Sequence, residues 1–86
     1  MPTAQQPLTT TLQLGRLLNS ARKAKGLSQR DLAAKVGVGQ SRISHLEQHA
    51  EEMSVAQLMA WCAALGLEMS IGQKDVAAAS SSDSAW

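Results

Sequence analysis

The stretch that decides the fold runs from Ser28 to Glu47 and reads SQRDLAAKVGVGQSRISHLE. Ser28 is of the type that caps helices, and Asp31 stands three positions later, where a capping-box partner belongs. Gly37 supplies the left-handed residue with which helices often end. Apolar residues recur at helical spacing on both sides of this glycine: Leu32, Ala33 and Val36 before it, Ile43 and Leu46 after it. The pattern predicts two short helices joined by a tight turn.

Two helices joined in this way cross at a steep angle, which leaves the second one free to enter a DNA major groove. We predict that this helix begins at about Gln40, so that Gln40 and Ser41 face base edges. Glutamine pairs bidentately with adenine, whereas serine is a less discriminating donor and acceptor. Gly39 offers no side-chain contact to a base, and a role as the N-cap of the helix is the alternative.

Three further residues of this helix are candidate DNA contacts. Ser44 and His45 lie one turn beyond Gln40 and are expected to reach bases or backbone. An ordinary surface histidine is an equally open interpretation of His45. Arg42 lies on the flank, where it contacts a phosphate or remains an exposed charge.

The charge of the chain is divided between its two halves. Residues 1–47 carry seven basic and two acidic side chains, whereas residues 48–86 carry one basic and five acidic ones. Ordinary solvated charge is the simpler explanation of such a split. Because the basic half contains the helix pair, however, the asymmetry favours a DNA-binding face.

A length of 86 residues allows one domain with a small core. We predict a flexible N-terminus over residues 1–10, a DNA-binding and dimerisation domain over 11–73 and a disordered tail over 74–86. A single cysteine cannot form an internal disulfide, so oligomerisation is the expected means of stabilising so small a domain. The chain lacks a long apolar run and a signal-peptide pattern, which predicts a cytoplasmic protein that does not interact with membranes.

Two more helices flank the central pair. The first is predicted from about Thr11 to Lys25. The other follows Ser54 and ends at Gly66, with one apolar stripe formed by Val55, Leu58, Met59, Cys62 and Leu65. Trp61 lies beside that stripe and is expected to pack at a dimer interface, exposure for another partner being the alternative.

Leu67, Met69 and Ile71 change the apolar period from 3.6 to 2, which predicts a strand. A lone strand leaves backbone groups unpaired on both edges. Pairing with its own copy across a two-fold axis forms a small intermolecular sheet and a homodimer. A short extended segment packed on the helices is the alternative.

The segment from Gly26 to Glu47 resembles the Cro/repressor type of helix-turn-helix, with matches at GLSQ, DLA, VGV, Gln40, IS and LE. The resemblance implies a mainly α, lambda-repressor-like domain of four to five helices, with the predicted strand added at its C-terminal end. It implies that Gln29 holds a phosphate, a solvated side chain being the alternative. It also implies a partly buried structural ion pair between Arg22 and Glu47.

The helix-turn-helix, the strand and a polar tail ending in Trp86 together resemble the HipB-like antitoxins of HipBA toxin–antitoxin modules. This resemblance implies that the chain binds operator DNA, represses its own operon and neutralises a HipA-like serine/threonine kinase toxin. It implies that Trp86 docks into a pocket of the toxin. A large anchor on a tether too polar to form a core suits that role, although an accidental terminal residue remains the alternative.

No arrangement of nucleophile, acid and base is recognisable, so an enzyme, a catalytic residue and a cofactor are not expected. His45, His49 and Cys62 are too few and too irregularly spaced to predict a metal site. Two alternatives to the antitoxin hypothesis stay open. One is a stand-alone repressor without a toxin partner, and the other is a toxin-binding module that uses the helix-turn-helix only as a scaffold.

Overall fold

The computed structural model describes residues 7–73. In this part of the chain four α-helices and one short 3₁₀ helix follow one another. Their order is α1 (Thr11–Ala24), α2 (Gln29–Val36), α3 (Gln40–Gln48), the 3₁₀ helix (Ala50–Glu52) and α4 (Val55–Leu65). The predicted mainly helical class with four to five helices is confirmed.

Three of the four α-helices begin with a reciprocal capping box. The hydroxyls of Ser28 and Ser54 accept hydrogen bonds from the backbone N–H three residues on, as the sequence predicts for α2 and α4. Thr10 and Gln13 form the same motif at the start of α1, which the sequence analysis did not identify. These caps explain why α1, α2 and α4 begin where they do.

The turn between α2 and α3 depends on Gly37, whose φ of 78° lies in the left-handed region. Its N–H donates to the carbonyl of Ala33 at 2.8 Å, and the N–H of Val38 donates to the same oxygen at 3.1 Å. Gly39 is the N-cap of α3 in extended conformation and provides no side-chain cap. The predicted role of Gly37 as the stop of α2 is therefore observed.

The core lies where all four α-helices meet. Its largest fully buried side chains are Leu18, Leu32, Ile43, Leu46 and Trp61. Helix α2 packs against both α3 and α4, and α1 crosses α3 on the other side. The core thus fixes α3 from behind and leaves its opposite face to solvent.

The side of α4 that is buried against the core differs in part from the predicted apolar stripe. Val55 and Met59 are 69% and 59% exposed, so they do not line the core. Trp61 is only 1% exposed and lies inside the core cluster, not on the surface as expected for an interface. Cys62 and Leu65 of the predicted stripe are buried, and Leu58 packs against the core. Since α4 is apolar on nearly all sides, its periodicity identified the buried face only in part.

Residues 67–73 follow α4 without forming a helix or a strand in the described chain. Leu67 packs against the core, whereas Met69 and Ile71 are 44% and 93% exposed. Since a strand needs a second strand to pair with, pairing across a dimer stays a prediction.

Candidate nucleic-acid interface

A buried ion pair joins α1 to α3 directly behind the exposed face of α3. The Arg22 Nε donates to the Glu47 Oε2 at 2.7 Å, and both side chains are less than a tenth exposed. The Arg22 Nη1 also donates to the carbonyl of Leu27 at 2.8 Å, in the link between α1 and α2. One guanidinium therefore ties α1 to both α3 and the link that leads into α2. The structure brings together the two residues expected to pair.

Glu47 receives more hydrogen bonds than the sequence indicated. The Asn19 Nδ2 donates to its Oε1 at 2.9 Å, and the Gln29 Nε2 donates to the same oxygen at 3.2 Å. Burial by itself raises the pKa of Glu47, but the hydrogen bonds from Arg22, Asn19 and Gln29 outweigh it and lower the pKa below its ordinary value. The carboxylate is therefore held in its charged form.

Asn19 was not among the predicted site residues. The signal available in the sequence was its position three residues before Arg22, which places both side chains on one face of α1. Its partner Glu47 lies 28 positions away along the chain, and nothing local predicts that contact.

Gln29 links this buried carboxylate to the exposed end of α3. Its Oε1 lies 3.5 Å from the Nε2 of Gln40, at the limit for a hydrogen bond. Gln29 is half-buried and sits at the first position of α2, while Gln40 is exposed at the first position of α3. The two glutamines expected to contact DNA are thus adjacent, at neighbouring helix starts.

The other candidate contacts occupy the solvent side of α3. Ser41, Arg42 and His45 are exposed, and Ser44 is half-buried. An exposed helix with small and polar side chains at its first turn is able to enter a major groove, which is wide enough for one α-helix. The His45 Nε2, however, is already paired with the Glu52 Oε1 at 2.8 Å.

The sequence predicts no metal site from His45, His49 and Cys62, and the two glutamates that follow His49 were not considered in that prediction. His49 lies one turn after His45, and their rings stack with centroids 4.7 Å apart. His49 Nδ1 also lies 3.4 Å from the Glu51 Oε2. The hydrogen bond from His45 lowers the pKa of Glu52 below its ordinary value. In the described chain, His49, Glu51 and Glu52 form a group able to hold a metal ion.

Two predicted regions lie wholly or partly outside the described residues. Trp86 and the tail over 74–86 are not described, nor is most of the predicted N-terminal segment over 1–10. In the described part, none of the helices has the length and apolar character needed to cross a membrane.

A protein-family model for a helix-turn-helix domain matches residues 3–74, which is most of the chain. The chain belongs to this helix-turn-helix family. No curated protein matches it closely enough to be counted as a relative.

Two of the solved structures with a similar fold come from HipB complexes. The fold resembles a chain of the "Structure of HipA-HipB-O2-O3 complex", with a TM-score of 0.76 and 24% identity over 83% of this chain and 100% of that one. A chain of a HipB–O1–O2 complex matches with a TM-score of 0.73 and 25% identity over 80% of this chain and 100% of that one. A chain called "MDT Protein" gives a TM-score of 0.75 and 24% identity over the same shares as the first. The helix-turn-helix domain is therefore HipB-like.

Proposed function

We propose that this chain is a dimeric, operator-binding antitoxin that represses its own operon and restrains a HipA-like kinase toxin. The observation that carries the proposal is the placement of Gln29 and Gln40 at two neighbouring helix starts, backed by the buried Glu47. The HipB-like fold of residues 7–73 supports it, since the similar structures are of HipB in complexes with HipA and with O1, O2 and O3.

DNA binding requires the first turn of α3 to approach base edges. Gln40 and Ser41 are exposed there, and the absence of a side chain at Gly39 leaves that approach open. The N–H groups at the start of α2 are suited to a phosphate, next to the amide of Gln29. We assign Gln40 and Ser41 to base readout and Gln29 and Arg42 to phosphate contacts. We assign Ser44 and His45 to additional contacts with bases or with the DNA backbone.

We propose a homodimer because the helix-turn-helix mode of DNA binding commonly uses two copies of the recognition helix. Helix-turn-helix dimers present two recognition helices about 34 to 36 Å apart, one turn of DNA. Met69 and Ile71 are exposed large apolar side chains in the segment that follows α4. We propose that residues 67–71 pair with the same residues of a second copy and bury these side chains.

The kinase partner is proposed from the HipB-like fold and from the composition of residues 74–86. In these thirteen residues Trp86 is the one aromatic side chain, among alanine, serine, charged residues and a single valine. Aromatic anchors of this kind often dominate the binding energy of an interface. We assign Trp86 to the kinase and the helix pair to DNA.

The DNA arm is tested with the fragment upstream of the chain's own gene. Binding of the full chain is measured by fluorescence anisotropy against this fragment and against a scrambled one. Gln40→Ala and Ser41→Ala are expected to reduce the preference for the upstream fragment by about 1 to 3 kcal/mol each. Gln48→Ala is the matched control, because Gln48 is exposed at the opposite end of the same helix. An unchanged preference in all three variants contradicts the assignment and favours a scaffold role for the helix pair.

The toxin arm requires a HipA-like kinase encoded beside this gene, which is co-purified with the chain and titrated by calorimetry. Trp86→Ala is expected to weaken kinase binding by about 2 kcal/mol or more, as hot-spot residues do. Gln40→Ala is expected to leave kinase binding intact. If no such kinase binds, while the upstream DNA does, the protein is a stand-alone repressor.

A further inference from the structure

Two histidines and two glutamates converge where α3 ends and the 3₁₀ helix begins. We call this group the His–Glu cluster; its members are His45, His49, Glu51 and Glu52. One ligand atom from each of His49, Glu51 and Glu52 lies within 4.8 Å of the others. The fourth member joins through the Nε2 of His45, which is 2.8 Å from the Glu52 Oε1. All four side chains are between 44% and 55% exposed, so an ion reaches them from solvent.

The local fold explains why these side chains converge. His45 and His49 are four positions apart, which places both imidazoles on one side of α3 with stacked rings. The 3₁₀ helix starts at the next residue and turns the chain back within three positions. Its two carboxylates therefore return to the same side of α3 as the imidazoles. The convergence comes from backbone geometry and not from charge pairing alone.

The ligand chemistry favours a particular class of ion. Imidazole nitrogen combined with carboxylate oxygen suits zinc and neighbouring transition metals, whereas magnesium and calcium prefer sets made of oxygen alone. Zinc bonds of about 2.0 to 2.2 Å place tetrahedral ligands roughly 3.3 Å from one another. The His49 Nδ1 and the Glu51 Oε2 are already 3.4 Å apart. The ligand atom of Glu52 lies within 4.8 Å of those of His49 and Glu51, and its side chain is 49% exposed and so has room to rotate.

We propose that the His–Glu cluster binds one divalent zinc ion, with His49, Glu51 and Glu52 as ligands and His45 as the fourth. The ion replaces the hydrogen bond between His45 and Glu52 and fastens the 3₁₀ helix to the end of α3. If the cluster serves only as a set of hydrogen bonds, it does not bind zinc in preference to magnesium. A preference for zinc therefore distinguishes a metal site from a purely structural cluster.

The site also has a consequence for DNA, which rests on the proposed function. Glu51 and Glu52 carry negative charge near the helix proposed to meet phosphates, and a bound zinc ion compensates both charges. Affinity for the upstream fragment is therefore expected to rise when the cluster is loaded. The metal titration below contains no DNA, so its outcome does not depend on that proposal.

The test is a calorimetric titration of the full chain with zinc chloride in a non-chelating buffer, repeated with magnesium chloride. We expect one zinc ion per chain and no saturable binding of magnesium. His49→Ala and Glu52→Gln are each expected to weaken zinc binding by at least about tenfold, the scale on which loss of a partner in a metal site acts. Glu68→Gln is the matched control, since Glu68 is an exposed carboxylate outside the cluster.

Circular dichroism of each variant checks that the fold is retained, and because all the replaced side chains are exposed we expect no loss of helix. Three results overturn the proposal. The first is the absence of saturable zinc binding. The second is equal affinity in the wild type, His49→Ala and Glu52→Gln. The third is a stoichiometry of one ion per two chains, which places the ion between copies instead of within the cluster.

Discussion

Glu47 is a charged residue in a buried position, and its three hydrogen-bond donors come from two different helices. Removing one partner of a buried ion pair leaves the other charge without compensation. We expect Glu47→Ala to lower the free energy of unfolding by about 3 to 5 kcal/mol, measured by urea denaturation. Gln48→Ala, one position further and exposed, is the control and is expected to change it by less than about 0.5 kcal/mol. A loss of equal size in both variants contradicts a special role for Glu47.

Glu47 also makes the stability of the protein depend on pH. Because the pKa of Glu47 in the folded protein is below its ordinary value of 4.5, the folded state binds its proton less readily than the unfolded state. Its stabilising contribution is complete above pH 4.5 and is lost as the pH falls through the lowered pKa. We expect the unfolding free energy of the wild type to decrease over that window and that of Glu47→Gln to decrease less. Parallel pH profiles of the two proteins contradict this prediction.

Gly15 marks the closest approach of α1 to α3. A Cβ at this position would lie 2.5 Å from the backbone oxygen of Glu47, and a backbone atom does not move aside easily. Replacing a glycine inside an exposed helix by alanine normally stabilises it by about 0.5 to 1 kcal/mol. Here we expect Gly15→Ala to destabilise by about 1 to 3 kcal/mol, as overpacking does. Ser20→Ala, at an exposed position of α1, is the control in the same thermal melts, and a stabilised Gly15→Ala variant would disprove the close approach.

At the scale of elements, the turn between α2 and α3 contains two glycines at which replacement by serine is expected to have opposite effects on stability. Gly37 has a φ of +78°, whereas Gly39 has a φ of −78° and serves as the N-cap of α3. Gly37→Ser is expected to destabilise by about 1 to 2 kcal/mol, because a side chain is strained in the left-handed region. Gly39→Ser is expected to stabilise the protein by roughly a few tenths of a kcal/mol, because serine caps a helix better than glycine does. Both are read from urea unfolding, and effects of the same sign contradict this account of the turn.

The elements themselves were largely predictable, since their determinants are local. Ser28, Gly37 and Ser54 act within a few residues of their own positions, and the helices begin and end accordingly. The box formed by Thr10 and Gln13 follows the same rule and was available to the same reasoning.

What was not predictable depends on which side of an element faces inward. Helix α4 is rich in apolar residues on every side, so the burial of Trp61 and the exposure of Met59 emerge only from packing. The contacts of Glu47 with Asn19 and Gln29 join residues far apart in the sequence. The sequence therefore predicted the helix proposed to face DNA more completely than the network behind it.

At the scale of the whole molecule, most of the exposed large apolar side chains of the described residues lie at the C-terminal end. Val55, Met59, Met69 and Ile71 lie on or after α4, whereas Leu8 and Leu12 lie at the N-terminal end, and all six are at least 44% exposed. Small soluble domains seldom expose a large contiguous apolar patch without a partner. The position of Leu67 against the core means that removing the entire segment also disturbs the monomer. A point substitution that leaves the core intact is the sharper test of the dimer.

Ile71→Asp is that substitution, because this side chain is 93% exposed and contributes almost nothing to the core of one chain. If residues 67–71 pair across a two-fold axis, an aspartate there meets its own copy, and the like charges oppose association. We expect the wild type to sediment as a dimer at micromolar concentration and Ile71→Asp as a folded monomer with unchanged helix content. Leu12→Asp, at an exposed apolar position on α1, is the matched control and is expected to remain dimeric. Dissociation by Leu12→Asp alone places the interface on α1, and a dimer that survives Ile71→Asp excludes the shared strand as its basis.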